Sequence, residues 1–155
     1  MSTEYDNISP DLIWEVVRKN NSYLCKRKQG GGVQFSRDPM NLANKHSRKH
    51  DGFVNAKAIG IQPDDNTVSM TTKLPSRVNK PAKSTQQSSF SASTPNRKLY
   101  KSIVSSTAKK GYRADLRMEA VARASAVKLS QKEKKDTPAP KLRGAKARKA
   151  AEGSS

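Results

Sequence analysis

His46 and His50 stand four residues apart in "KHSRKH", a spacing that suits two ligands of one metal ion if the segment is helical. A zinc site needs further Cys, His or carboxylate ligands, and only Cys25, Asp38 and Asp51 lie near in sequence. The cations between the two histidines oppose binding another cation, so structural or RNA-contacting roles are expected and no metal is. Cys25 precedes Lys26 and Arg27, neighbours that could lower a thiol pKa. No arrangement supplies a base or an orienting partner, so Cys25 reads as a small half-buried thiol. No catalytic residue and no cofactor is expected.

The remaining chemistry belongs to lysine and arginine. The 155 residues carry 31 Lys and Arg against 13 Asp and Glu, a formal charge of +18, with only 33% hydrophobic and 5% aromatic residues. Such a balance points to a polyanionic partner. Residues 1–66 hold ten basic and eight acidic side chains; residues 67–155 hold 21 and five. The first part can fold as an ordinary module, whereas the second repels itself until counterions or phosphates compensate it. One cysteine permits no intramolecular disulfide, the acidic start "MSTEYDNISP" resembles neither a secretory signal nor a transit peptide, and no run approaches the ~20 apolar residues of a membrane span. A soluble intracellular protein with no membrane partner and no small-molecule substrate is expected.

The elements that position these charges are legible in part. Ser9 can cap a helix begun by Pro10, with Ile13, Val16 and Val17 at helical spacing beside Trp14. "SYLCKRK" alternates as a strand, with Tyr23, Cys25 and Arg27 on one face, and Gly30, Gly31 and Gly32 end it in a turn or loop. "GFVNAKAIGIQPDDNTVSMTTKL" predicts an antiparallel hairpin turning at Pro63-Asp64-Asp65-Asn66. Residues 75–94 are polar and aperiodic, so a long linker or extended arm is expected. A second helix opens at Thr94-Pro95, pairs Leu99 with Ile103 and Tyr100 with Val104, and stops at Gly111.

A third helix starts near Asp115 and shows no single apolar stripe. Leu116, Ala120, Ala124 and Val127 take one side, and Met118, Val121 and Leu129 another. That pattern suits a thin helix enclosed by two surfaces, one of them phosphate-rich; the plainer reading packs one patch and leaves its cations in water. From residue 132 the chain offers charge, proline and alanine and little to bury, so a disordered basic tail is expected. The fold class is therefore α+β: an N-terminal helix, a small antiparallel sheet, two C-terminal helices and a basic tail. The divisions expected are an extension (1–11), a small α+β domain (12–74), the linker (75–94), two basic RNA-facing helices (95–131) and the tail (132–155).

Three stretches, "LIWEVVRKNNSYLCKR", "DPMNLANKHSRKHDGF" and above all "YRADLRMEAVARASAVKLSQK", are similar to the eukaryotic large-subunit ribosomal protein family numbered twenty-eight. The likeness spans roughly residues 12–131, departing at Ala114, where the family has proline, at the Gly30-Gly31-Gly32 loop and in the N-terminal extension. It implies a structural constituent of the cytosolic large (60S) ribosomal subunit that holds folded ribosomal RNA by its backbone, beside neighbouring large-subunit proteins, after assembly in the nucleolus. The cations expected on that RNA are Lys26, Arg27, Arg48, Lys49, Arg97, Lys98, Lys101, Lys109, Lys110, Arg113, Arg117, Arg123 and Lys128. Two alternatives stand beside it. One is a nucleolar assembly factor of the maintenance-of-killer type, whose several cysteines and acidic extension this chain lacks. The other is a basic chromatin-binding protein, suggested by the Lys, Ala and Pro of the tail.

Overall fold

A computed structural model of the chain describes residues 8–29, 31–77, 79–133, 141 and 143–153. The first seven residues of the expected extension, and most of 134–142 in the expected tail, lie outside the described residues.

Helix α1 (Pro10–Val17) forms where Ser9 and Pro10 predict it: the Ser9 hydroxyl accepts from the Leu12 N–H at 3.2 Å. None of its residues is fully buried. It is tied to the rest by chemistry beyond its own turns. The ring of Trp14 lies 4.9 Å from that of His46, and His46 Nε2 is 2.7 Å from the Arg18 carbonyl oxygen. His50 places Nδ1 2.8 Å from the Ser47 hydroxyl. His46 thus ties its segment to α1 while the His50–Ser47 bond is local, and among the described residues no cluster of three His, Cys, Asp or Glu could hold a metal.

Strand β1 (Leu24–Lys26) pairs antiparallel with β2 (Gln34–Ser36), so only the middle of "SYLCKRK" is a strand, Tyr23 standing in a turn before it, and Gly31 and Gly32 turn the chain between the two strands. Gly31 and Gly32 take positive φ, which costs glycine little. The partner β2 was not expected, because "QFS" is too short to show a period. The segment that follows is irregular and held by short polar side chains. Asp38 accepts from the N–H groups of Met40 and Gly52, Asn41 accepts from Ala43 and donates to Lys45, and Asp51 accepts from Val54. All three are buried and all are satisfied, as buried polar groups must be.

The predicted hairpin is β3 (Ile59–Asp64) with β4 (Thr67–Lys73), Ile61 facing Met70 across the pair. The turn is tighter than expected. Pro63 and Asp64 remain in the edge strand, where proline is tolerated, and only Asp65 and Asn66 turn, Asp65 at φ 44°. Within the segment expected as a linker or extended arm, Thr85–Phe90 forms β5 and completes a sheet of order β3-β4-β5, with Val68 opposite Phe90. Its polar side chains gave no sign of this; the strand is recruited by backbone hydrogen bonds to β4.

Helix α2 (Asn96–Ser106) buries Leu99 and Ile103 as the spacing requires. Thr94 does not cap it: Pro95 takes the N-cap position and no side chain bonds there. Gly111, left-handed at φ 69°, ends the 3-10 turn (Ala108–Lys110) that extends the helix. Helix α3 (Arg117–Ser130) follows another 3-10 turn (Ala114–Leu116). Leu116, Ala120, Ala124 and Val127 form its buried stripe against the sheet and α2, and alanine there lets the helix axes approach closely. Met118 and Leu129, 82% and 70% exposed, face solvent. Only one of the two surfaces expected around this helix therefore belongs to the chain itself. The core draws together Leu42, β3, β4, α2 and α3.

A short helix, α4 (Ala145–Glu152), lies within the tail, and no described hydrogen bond or ion pair joins it to the core. Eight residues are marginal for an isolated helix in water. The α+β class, with small antiparallel sheets and flanking helices, is as the sequence predicts.

Candidate nucleic-acid interface

Of the thirteen cations expected to meet phosphate, seven have no hydrogen bond or ion pair among the described residues. On α2, Arg97 and Lys101 are four apart on the side opposite the buried Leu99–Ile103 edge, with Lys98 at the flank; all three are exposed. Like charges at that spacing repel, and the sequence of α2 contains no carboxylate to relieve them. Lys109 and Lys110 continue the charge into the exposed 3-10 turn, Arg117 opens α3, and Arg27 follows β1. This is positive charge that the fold leaves unneutralised.

The other six are engaged internally. Arg113 adopts a left-handed backbone (φ 48°) and spreads its guanidinium over both Asp115 oxygens, the Lys57 carbonyl at 2.9 Å and the Lys49 carbonyl at 2.7 Å. Its hydrogen bond holds the Asp115 carboxyl below the usual carboxylate range. Lys49 Nζ meets Glu119 Oε1 at 2.5 Å and depresses that carboxyl likewise, with His50 Nε2 3.5 Å away. Arg48 donates to Asp11 at 2.9 Å and to Asn55 at 2.5 Å. Lys26 reaches the Lys19 carbonyl, Arg123 the Ile61 carbonyl at 3.3 Å, and Lys128 the Thr94 carbonyl. These side chains fasten loops and helices to each other. Arg48, Lys57 and Arg113 also line an open cleft of about 490 Å³ beside Pro10, Asn55 and Pro75, so a positive rim persists where they are partnered.

Two residues matter that charge counting passes over. The Tyr112 hydroxyl accepts from the Ala58 N–H at 3.1 Å and donates toward the Lys73 carbonyl at 2.8 Å, with the Ala58 carbonyl at 3.1 Å. Burial raises its phenol pKa, against the pull of those backbone bonds. Lys73, a lysine in an alternating strand, turns its amine inward to the carbonyls of Gly52, Phe53 and Asn55. Desolvation lowers its pKa, opposed by Asp38 and Asp51. Tyr112 belongs to the most distinctive stretch of the sequence, yet nothing in the stretch reveals that its partners are the ends of β3 and β4.

The Ribosomal L28e protein family matches residues 12–130. This chain belongs to the ribosomal L28e family. The match begins within α1 and ends at the last residue of α3, so it covers the whole core and stops before α4. Among curated proteins, the large ribosomal subunit protein eL28 of Schizosaccharomyces pombe is 42% identical over 131 residues, covering 83% of this L28e chain and 97% of the relative. The proteins of the same name from Dictyostelium discoideum and Trypanosoma cruzi are 32% and 37% identical over 84 and 73 residues, covering 54% and 47% of this chain and 61% and 48% of theirs. In this chain, then, the cations of α2 and the adjoining 3-10 turn have no side-chain partner among the described residues, while Arg48 and Arg113 at the cleft are engaged internally. No helix among the described residues is long and apolar enough to cross a membrane.

Proposed function

We propose that this protein is a structural constituent of the cytosolic large ribosomal subunit, holding folded ribosomal RNA through backbone phosphate contacts. The reading rests on family membership over the entire core. The exposed cations Arg27, Arg97, Lys98, Lys101, Lys109, Lys110 and Arg117, without a partner among the described residues, supply the means. Contacts to phosphate position a protein without reading sequence, which suits a chain that meets one RNA in one place. Its role is non-catalytic; its partners are ribosomal RNA and neighbouring large-subunit proteins. It reaches the cytoplasmic ribosome through nucleolar assembly. The six cations with internal partners belong to the same interface as secondary contacts, available where donors remain unused.

The test is twofold. The tagged chain should co-sediment with large subunits after a high-salt wash. Binding of the isolated chain to folded ribosomal RNA should weaken steeply with salt, with a log–log slope of about 0.7–0.9 per phosphate contact. Changing Arg97, Lys98 and Lys101 together to Gln should lower that slope by about 2–3. A slope unchanged by the triple substitution removes α2 from the interface. Absence from washed subunits removes the ribosomal assignment.

A further inference from the structure

The β1–β2 ribbon carries a second kind of surface, unlike the cationic face of α2. Leu24 pairs with Ser36, and these are half-buried and buried, so at that end one side of the ribbon faces inward, while the next pair on that side, Lys26 with Gln34, is exposed. The alternate side must face out. There Cys25 pairs with Phe35, and an isolated bridge adds Lys45 next to Phe35. The Arg37 N–H donates to the Tyr23 carbonyl at 2.9 Å, which carries the pairing one step further and sets Arg37 across from Tyr23. Arg27 follows the last strand residue, Lys26, and is exposed at that end of the ribbon. One small sheet face thus presents Tyr23, Phe35, Arg37, Lys45 and Arg27.

The two aromatic residues are left open, Phe35 44% exposed and Tyr23 36%. Neither ring has a partner; the one ring contact among the described residues is Trp14 with His46. Among the described residues no hydrogen bond or ion pair engages the side chains of Arg27, Arg37 or Lys45, and no carboxylate occurs from Val16 to Arg37. Exposed aromatic surface interleaved with unneutralised cations calls for a partner offering flat π-faces and negative charge together. Single-stranded RNA has both in every nucleotide, and a base lifted out of its stack can lie on an aromatic ring. Duplex RNA buries its base faces and offers the rings nothing. A protein partner would need carboxylates for three cations and would have to bury them at a desolvation cost.

We propose that the outer face of the β1–β2 ribbon binds unpaired nucleotides of RNA, with Phe35 and Tyr23 stacking on bases and Arg27, Arg37 and Lys45 contacting the flanking phosphates. Phe35 and Tyr23 are diagonal neighbours across the ribbon, roughly 7–8 Å apart at their backbones, within reach of successive nucleotides of one strand. This rests on the ribosomal RNA reading but adds a separate surface and a different form of RNA.

The experiment uses the full chain with two probes at one salt concentration: a short unstructured oligoadenylate and an RNA hairpin duplex of equal length. Changing Tyr23→Ala and Phe35→Ala together should weaken oligoadenylate binding about tenfold or more and leave the duplex within about twofold. The swap Tyr23→Phe with Phe35→Tyr, which keeps both rings, should retain binding. Equal weakening on both probes, or none on the single strand, overturns the stacking proposal while the ribosomal reading stands. If the wild type binds neither probe in a salt-dependent way, the RNA reading fails and takes this one with it. A photoreactive phenylalanine analogue at position 35, in assembled large subunits, tests the site without altering the fold. Crosslinks to nucleotides support the proposal, and crosslinks to protein alone, or none, overturn it.

Discussion

At Tyr112 a single hydroxyl joins the start of β3 to the end of β4 through the Ala58 N–H and the Lys73 carbonyl. Tyr112→Phe keeps the ring and strands both backbone groups in a partly buried place. A loss of about 1–3 kcal/mol is expected, read as a lower denaturation midpoint at unchanged m. Asp115 gives the pH dependence. Its pKa is depressed in the folded state by the Arg113 hydrogen bond, so its contribution is complete above the unfolded carboxylate value of about 3.9. That contribution disappears as pH falls through the lower folded value. Asp115→Asn should therefore be less stable than wild type at neutral pH, and the gap should close on acidification below about pH 4. Equilibrium unfolding followed from neutral to acid checks it, and a gap independent of pH contradicts it. That Arg113 would hold a carboxylate two residues away was within reach of the sequence; that it would also take carbonyls 56 and 64 residues away was not.

Helix α3 shows how far an element's pattern can be read. The two apolar sets are real, but only Leu116, Ala120, Ala124 and Val127 meet a surface of this chain. Its three cations differ in kind. Arg123→Gln and Lys128→Gln break ties to Ile61 and Thr94 and should each cost about 0.5–1.5 kcal/mol in thermal or denaturant unfolding. Arg117→Gln, at an exposed position with no partner among the described residues, should leave stability within about 0.5 kcal/mol and weaken RNA binding instead. Ile103, fully buried in α2, sets the scale for the core: Ile103→Ala should cost about 2–5 kcal/mol, and Met118→Ala almost nothing. Strand β5 is the converse case. "TQQSSF" has no apolar alternation, so only the open edge of β4 determines that it extends and pairs.

For the molecule as a whole, the core lies between β3–β4 and α2–α3, while α1 contributes no buried residue. Hydrogen exchange on the free chain should accordingly be slowest in β3, β4, α2 and α3, with α1 and the β1–β2 ribbon opening earlier and α4 at once. Protection confined to residues 12–74 would instead favour a domain that ends before the linker. Binding RNA should slow exchange in α2 and the ribbon most, since those carry the free cations and the open rings. The charge asymmetry acts at the same scale: most of the excess lies in residues 67–155, a repulsion that counterions or a polyanionic partner would relieve.

Some of this was settled by local physics. The Ser9 cap and Pro10 start α1, the β3–β4 hairpin follows from alternation and turn residues, and the Leu99–Ile103 edge of α2 follows from helical spacing. All depend on neighbours a few residues apart. The positive charge, too, is a property of composition and needs no fold. What the sequence could not divide was that charge into bound and free: Lys49 is taken by Glu119, and Lys128 by the Thr94 carbonyl, while Arg97 and Lys101 are taken by nothing described. Those partners lie tens of residues away, and a hydrogen bond depends on where the chain returns, which only the packing of α2 and α3 against the sheet decides.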